Sequence, residues 1–243
     1  MLVIAGTDSS GGAGLTRDVA TLAHFGTEAL CAVTAVTAQT DAAVTAVERL
    51  APELVRAQIA AALATARVRA VKIGMLADAG IVAAVSEALP SREQAPLVLD
   101  PVLAASSGGE LLDAAGRAAL RVRLLPRTTL LTPNVGEAAA LLDAAPATDE
   151  AETIAQGRAL CALGALAVLV KGGHARGPLA VDWLVTRAGG VESFSAPRLP
   201  VDRRGTGCAL ASAIAAALAG GDDLAAACDR AKRYVTEVLR QEA

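Results

Sequence analysis

Near the carboxyl end of the chain, Arg203 to Gly221 read RRGTGCALASAIAAALAGG, with a cysteine directly behind Gly-Thr-Gly at the mouth of an alanine-rich helix. Cys208 in that position is open to five readings: metal ligand, half of a disulfide, nucleophile, redox thiol, or part of an anion-binding turn. The four cysteines (Cys31, Cys161, Cys208, Cys228) show no CxxC spacing, and only His24 and His174 could join them, which argues against structural zinc. MLVIAGTDSS at the N-terminus has neither a basic stretch nor a cleavage site, so we expect a cytoplasmic protein with reduced, separately placed thiols. A thiol hydrolase would need His174 of KGGH as its base, and no local hydrolase signature surrounds Cys208. The blandest reading is a small buried residue at a helix start. Gly205 and Gly207 change that balance, because they let the backbone approach a ligand closely. The amides of Gly205, Thr206, Gly207 and Cys208 would point out of the helix N-terminus, where unpaired N–H groups and the dipole attract anions. The expectation is a phosphate or oxyanion cradle, with the thiol pKa lowered below about 8.5 by the helix end. It is not a conventional P-loop, since GxxxxGK[ST] is absent, and Leu210 stands where a dinucleotide fingerprint has its third glycine.

The elements that must position this turn are read from hydrophobic patterning. The chain has 243 residues, 53% hydrophobic, 19% charged and 2% aromatic, with a formal net charge of -3. That describes a well-buried globular protein, without the basic groove and stacking rings that nucleic-acid binding wants. Apolar runs such as LAVLV are strand-sized and too short to cross a membrane. LVIAG (2–6), ALCAVTAVTAQ (29–39), AVKIGML (70–76), PLVLDPV (96–102), TTLLTPN (128–134) and ALAVLVKGGH (165–174) read as strands alternating with helical stretches. The first helix runs from about Leu15 to Phe25, and PELVRAQIAAALATA (52–66) opens with a first-turn proline. LAVDWLVTRAGGVESFSA (179–196) reads as a hairpin about Gly-Gly. GGDD (220–223) ends one terminal helix and starts the next. The alternation predicts one α/β domain over 1–243 with a largely parallel sheet and a late β-hairpin. Ligands of such sheets lie beyond the carboxyl ends of strands, where GTDSSGGAG, TAQTD, IGML, DPV, TPNVGE and KGGH all fall.

Taken singly, the polar residues at those ends have plainer explanations. Asp18 could face solvent from the first helix, Asp100 could form a turn before proline, and Lys171 could be a surface lysine. Met75 could be core. Asn134 and Glu137 have the N-x-x-E spacing of a capping box.

Jointly, and in order, VIAGTDSSGGAG, TAVTAQ, KIGML, LDPV, TPNVGEA, VLVKGGH and GTGCALASAIAA resemble the hydroxymethylpyrimidine/phosphomethylpyrimidine kinases of thiamin biosynthesis, within the ribokinase-like superfamily. The resemblance runs from Leu2 to about Tyr234. It implies a three-layer α/β/α kinase domain that transfers the ATP γ-phosphoryl to 4-amino-5-hydroxymethyl-2-methylpyrimidine and then to its monophosphate. It implies that Asp18 and Gln39 hold the pyrimidine in a pocket lined by Gly6, Met75 and Val102. It places Asp100 and Glu137 near Mg2+, and Lys171, Asn134 and Thr206 on the ATP side. It also implies that GTGC forms the anion hole, with Cys208 beside the attacking hydroxyl, and that the chain pairs as a homodimer. These types suit a loose phosphoryl-transfer transition state, where positioning and charge stabilisation dominate.

The chain departs from the family pattern in three places. Arg204 stands where histidine is usual before GTGC, Thr16 and Ala20 replace common Gln and Lys around Asp18, and Ser106 falls where a lysine is common. The lost lysines bear on handling of a phosphorylated substrate, and Arg204 is the candidate to compensate. A pyridoxal or pyridoxine kinase on the same scaffold, or a non-catalytic pyrimidine-binding protein, are the alternatives.

Overall fold

Neighbouring residues on the buried strands point to opposite faces of the sheet, and both faces are apolar. In β1 (Leu2–Asp8), Leu2 and Ile4 enter one core cluster while Val3 and Ala5 enter another. In β5 (Leu97–Leu99), Leu97 and Leu99 face the first cluster and Val98 the opposite side. A sheet apolar on both faces needs a helical layer on each, which gives three layers. The computed structural model describes residues 1–105, 108–172, 177–200 and 203–241.

The remaining strands are β2 (Leu30–Gln39), β3 (Val44–Arg49), β4 (Val71–Ile73), β6 (Leu130–Leu131), β7 (Ala167–Val170), β8 (Leu179–Thr186) and β9 (Val191–Pro197). They form a nine-stranded sheet in the order β3-β2-β1-β4-β5-β6-β7-β8-β9. The pairs from β2 through β7 are parallel, while β3 at one edge and β8 and β9 at the other run antiparallel. The late hairpin lies where the sequence predicts it. The sequence reading does not include β3, because its residues are mostly exposed and lack the apolar run that marks the inner strands.

On one face lie α2 (Pro52–Thr65), α3 (Ala79–Ala88), α4 (Ala114–Arg123), α5 (Val135–Leu142) and α6 (Glu150–Ala162), with Val55, Ile59, Ile81, Val85, Leu120 and Leu160 in the larger core. On the other face lie α1 (Gly14–His24), α7 (Thr206–Gly220) and α8 (Leu224–Arg240). Ten residues of α7 are buried, mostly alanines, which is why this helix reads apolar all round. Its small side chains let it sit close between the sheet, α1 and α8.

The topology picks out a place for ligands. β1 pairs with β2 on one side and β4 on the other, so the chain's progression reverses at β1. The crevice beyond the carboxyl end of such a strand is where open α/β sheets bind ligands.

Candidate active site

The loop after β1 is folded by one carboxylate. Asp8 is buried, and its Oδ1 accepts from the Ser10 amide and hydroxyl, both at 2.8 Å. Its Oδ2 accepts from the Ala13 amide at 2.8 Å, just before α1. This loop lies against the first turn of α7. Gly205 is the N-cap of α7 with φ 75°, and a Cβ there would sit 2.1 Å from the Gly12 carbonyl oxygen. Only glycine meets both demands. Glycine at 205 is thus required by the approach of the chain's own glycine loop.

Gly207 makes room for a side chain. A Cβ at this position would lie 3.0 Å from Lys171 Nζ and 3.8 Å from Asp100 Oδ2. The ammonium of Lys171, at the end of β7, thus comes right up to the backbone of the α7 turn. It donates to Asp100 Oδ1 at 3.0 Å and pairs with Glu137 Oε2 at 3.8 Å. Asp100 stands at the end of β5, held by its amide on the Ile73 carbonyl, and also accepts from Thr132 Oγ1 at 3.3 Å. Burial alone would lower the Lys171 pKa, but Asp100 and Glu137 raise it well above the usual lysine range. Burial likewise pushes the Glu137 carboxyl up, against the pull of Lys171. Asn134 and Glu137 do form the expected capping box at the start of α5. The Glu137 side chain therefore caps the helix and faces Lys171 at once. In α7 the first helical bond runs from the Ala209 amide to the Gly205 carbonyl. The amides of Gly205, Thr206, Gly207 and Cys208 donate to none of the described residues, and the turn that carries them lies beside the Lys171 ammonium.

Below this turn is a second ion pair. Lys72 of β4 and Asp18 of α1 have fully buried side chains, and Lys72 Nζ reaches both Asp18 oxygens at 2.8 and 2.7 Å. Ser212 Oγ, one turn beyond Cys208 on α7, donates to Asp18 Oδ1 at 2.8 Å. Burial pushes the Asp18 carboxyl up and would push Lys72 down; the bidentate contact decides for the ionised pair, and Lys72 ends well above the usual lysine range. The carboxylate expected to hold a substrate edge is thus committed, in this structure, to a lysine and a serine. The sequence reading passes over Lys72 and Ser212. The available signal was a charge inside the apolar run AVKIGML, since a lysine is almost never fully buried without a partner.

The remaining pocket residues gather at neighbouring strand ends. Gly6 is buried on β1, where a Cβ would stand 2.8 Å from the Met75 sulfur. Met75 is nearly buried beyond β4, its carbonyl accepting from Thr34 Oγ1 at 2.6 Å. Val102 is half-buried just past β5, its amide donating to the Asp100 carbonyl at 2.9 Å. Gln39 ends β2, and its Oε1 accepts from Arg204 Nη2 at 2.8 Å. Arg204 does not offer a free charge to the anion cradle, as the sequence suggested. Its guanidinium also reaches Asp8, Ser10, the Thr40 carbonyl and Asp41. His174 and Ser106 lie outside the described residues.

Cys208 reverses one expectation. The residue keeps some exposed surface, yet burial pushes its thiol up to about 11, with Asp18 and Asp100 adding to the rise. Lys72 and the Gly14 backbone pull the other way without prevailing. The helix end does not outweigh desolvation beside two carboxylates. All four cysteines are free thiols.

A family model described as phosphomethylpyrimidine kinase matches residues 8–243. Hydroxymethylpyrimidine/phosphomethylpyrimidine kinases of Salmonella typhimurium and Escherichia coli are each 44% identical over 241 residues, covering 99% of this chain and 90% of theirs. The crystal structure of a phosphomethylpyrimidine kinase from Clostridium difficile superposes with a TM-score of 0.84 at 35% identity, covering 98% of this chain and 97% of that one. An ADP complex of Bacillus subtilis pyridoxal kinase superposes with a TM-score of 0.87 at 29% identity, covering 97% and 89%.

Two measurements follow from the buried groups. Asp18→Asn or Lys72→Met should each lower the unfolding free energy by about 3–5 kcal/mol in urea titrations, because a lone buried charge or an unmatched partner remains. The double variant Asp18→Leu/Lys72→Met should recover much of that loss; single variants within about 1 kcal/mol of wild type would show that the pair does not hold α1, β4 and α7 together. A thiol raised to about 11 stays protonated at neutral pH. Alkylation of Cys208 by iodoacetamide, followed by mass spectrometry, should lag behind that of exposed Cys31 and keep accelerating through pH 9.5. A plateau near pH 8 would mean a stabilised thiolate instead.

Proposed function

This chain belongs to the phosphomethylpyrimidine kinase family, and from that premise we propose how its own residues divide the work. It is a hydroxymethylpyrimidine/phosphomethylpyrimidine kinase of thiamin biosynthesis, a phosphotransferase that uses ATP. The observation that carries the residue assignment is the meeting of Lys171, Asp100 and the α7 turn at Gly207. A transferring phosphoryl group needs a cation and outward amides at one point, in a site where they need not reorganise. Lys171 supplies the first, and the amides of Gly205 to Cys208 the second. Asn134, next to Lys171 across an isolated bridge, and Thr206 complete the ATP side.

Gly6, Gln39, Met75 and Val102 form the pyrimidine side, with Met75 offering an adaptable apolar surface for a flat ring. Asp18 is the buried anchor below them and reaches a substrate edge only by exchanging part of its contact with Lys72 and Ser212. Among the described residues no group of three or more His, Cys, Asp or Glu forms a metal cage. Asp100 and Glu137 make a pair of hard oxygen donors instead. That suits Mg2+, which keeps its waters and takes one or two carboxylates together with phosphate oxygens. Bound with the nucleotide, the ion would neutralise phosphate charge.

Cys208 stands beside the attacking hydroxyl in this assignment. Because its thiol titrates near 11, it accepts the alcohol proton only through the minor thiolate fraction at neutral pH. A loose transition state tolerates that, since the proton leaves late. We place the enzyme in the cytoplasm as one kinase domain that pairs as a homodimer. No helix among the described residues is long and apolar enough to cross a membrane, and exposed Val36 and Val47 on the outer strands support pairing with a second copy.

The test is a coupled ATP-to-ADP assay with magnesium on hydroxymethylpyrimidine, its monophosphate and pyridoxal. Both pyrimidines should turn over faster than pyridoxal. Wild-type turnover should rise with pH, and Cys208→Ala should lose that rise together with about 10²–10⁴-fold in turnover, the range of a positioned proton acceptor. A variant as active as wild type at every pH removes Cys208 from proton transfer, and preference for pyridoxal moves the enzyme to the neighbouring kinase class.

A further inference from the structure

Arg204 joins three segments that are distant in sequence: the β1 loop, the β2–β3 connection and the turn that opens α7. Nη2 donates to Asp8 Oδ2 at 3.2 Å and to Gln39 Oε1 at 2.8 Å, while Nη1 donates to the Thr40 carbonyl at 2.7 Å. Arg204 and Asp8 are well covered, their side chains 14% and 1% exposed, so this is not a fluctuating surface pair. The Gln39 main chain is held separately, with Ser9 Oγ 2.9 Å from both its amide and its carbonyl. With the backbone pinned at one end and Oε1 at the other, the amide plane has little freedom left.

A guanidinium has donors and no acceptor. The atom of Gln39 that faces Arg204 must therefore be the oxygen, and the NH2 group must face the other way. Gln39 Nε2 donates to none of the described residues. We propose that Arg204 is a specificity-determining positioning residue, which turns the Gln39 amide so that the pocket offers a hydrogen-bond donor to a ring nitrogen of the pyrimidine. The 4-amino pyrimidine presents an acceptor nitrogen beside its amino group. A 4-oxo analogue presents an N–H at the same place, which would face the Gln39 NH2 donor to donor. A site built this way rejects the mismatched partner strongly, because buried polar groups are left unpaired. The same geometry explains why Arg204 is poorly placed to take over phosphate binding: its two terminal nitrogens are already turned to acceptors of the protein.

This inference rests on Gln39 facing the pyrimidine, and the two claims fail separately. The experiment measures kcat/KM for the 4-amino substrate and for its 4-oxo analogue, with the KM for ATP as a control, in wild type, Arg204→Met, Arg204→Lys and Gln39→Ala. With Arg204 removed, the amide flips freely and shows its oxygen to the N–H of the oxo compound. The preference for the amino over the oxo substrate should then fall about 10-fold or more, as expected for one matched hydrogen bond exchanged for a mismatch, while the KM for ATP stays within about 2-fold. Arg204→Lys keeps the charge for Asp8 but lacks the fork that reaches Gln39 as well, so it should lose the same discrimination even if Arg204→Met folds poorly. Gln39→Ala that loses discrimination, beside Arg204 variants that keep it, overturns the role of Arg204 and leaves the pocket assignment standing. Gln39→Ala with wild-type discrimination overturns both.

Discussion

Two lysines reach into this fold, Lys72 fully buried and Lys171 with 15% of its side chain exposed, and each is held there by carboxylates. Lys72 is held by Asp18, and Lys171 by Asp100 and Glu137. Stripping water from an ammonium costs several kcal/mol, so the pairs must be close and well oriented for the structure to persist. That requirement ties α1 and α7 to β4 through the first pair, and β5, β7 and α5 to one another through the second. The turn at Gly205 to Cys208 is laid over both. Its position is thus fixed by charges beneath it as much as by the alanine face of α7.

The arrangement also explains the electrostatics of the turn. Amides and the Lys171 ammonium at the turn suit an anion, while burial, with Asp18 and Asp100 adding to it, keeps the Cys208 thiol protonated at rest. The proposed phosphate site therefore avoids a permanent anion at the cysteine, and its cation, Lys171, is shared between Asp100, Glu137 and an arriving phosphate. Arg204 is already paired with Asp8 and turned to other acceptors of the protein, so its contribution is geometric, through Gln39.

Much of this is legible in the chain itself. The inner parallel strands announce themselves as apolar runs, and the Gly-Gly hairpin of β8 and β9 has a plain turn signal. The ligand crevice follows from those runs, because the polar motifs all fall at their ends. The edge strand β3 escapes such reading, since its residues are mostly exposed and carry no apolar run to mark it. Lys72 was visible as a charge in an apolar run, but its partner on α1 is 54 residues away and only the fold brings them together. The thiol of Cys208 shows the limit most clearly. A helix N-terminus is readable from GTGC, whereas the depth of the sulfur and the nearness of two carboxylates depend on packing. Glycine roles divide the same way: a left-handed φ at Gly205 is a reasonable guess, but the Gly12 carbonyl that requires it is not.

The central claim is that Lys171 is the cation of the phosphate site. The most direct measurement is calorimetric titration of wild type and Lys171→Met, in magnesium buffer, with ATP and with adenosine. The account predicts that the variant loses about 10–100-fold in affinity for ATP, as expected when a charge-assisted contact is removed and two carboxylates are left facing the phosphates, while adenosine binds as before. An ATP affinity equal to that of wild type, or an equal loss for both ligands, would contradict it.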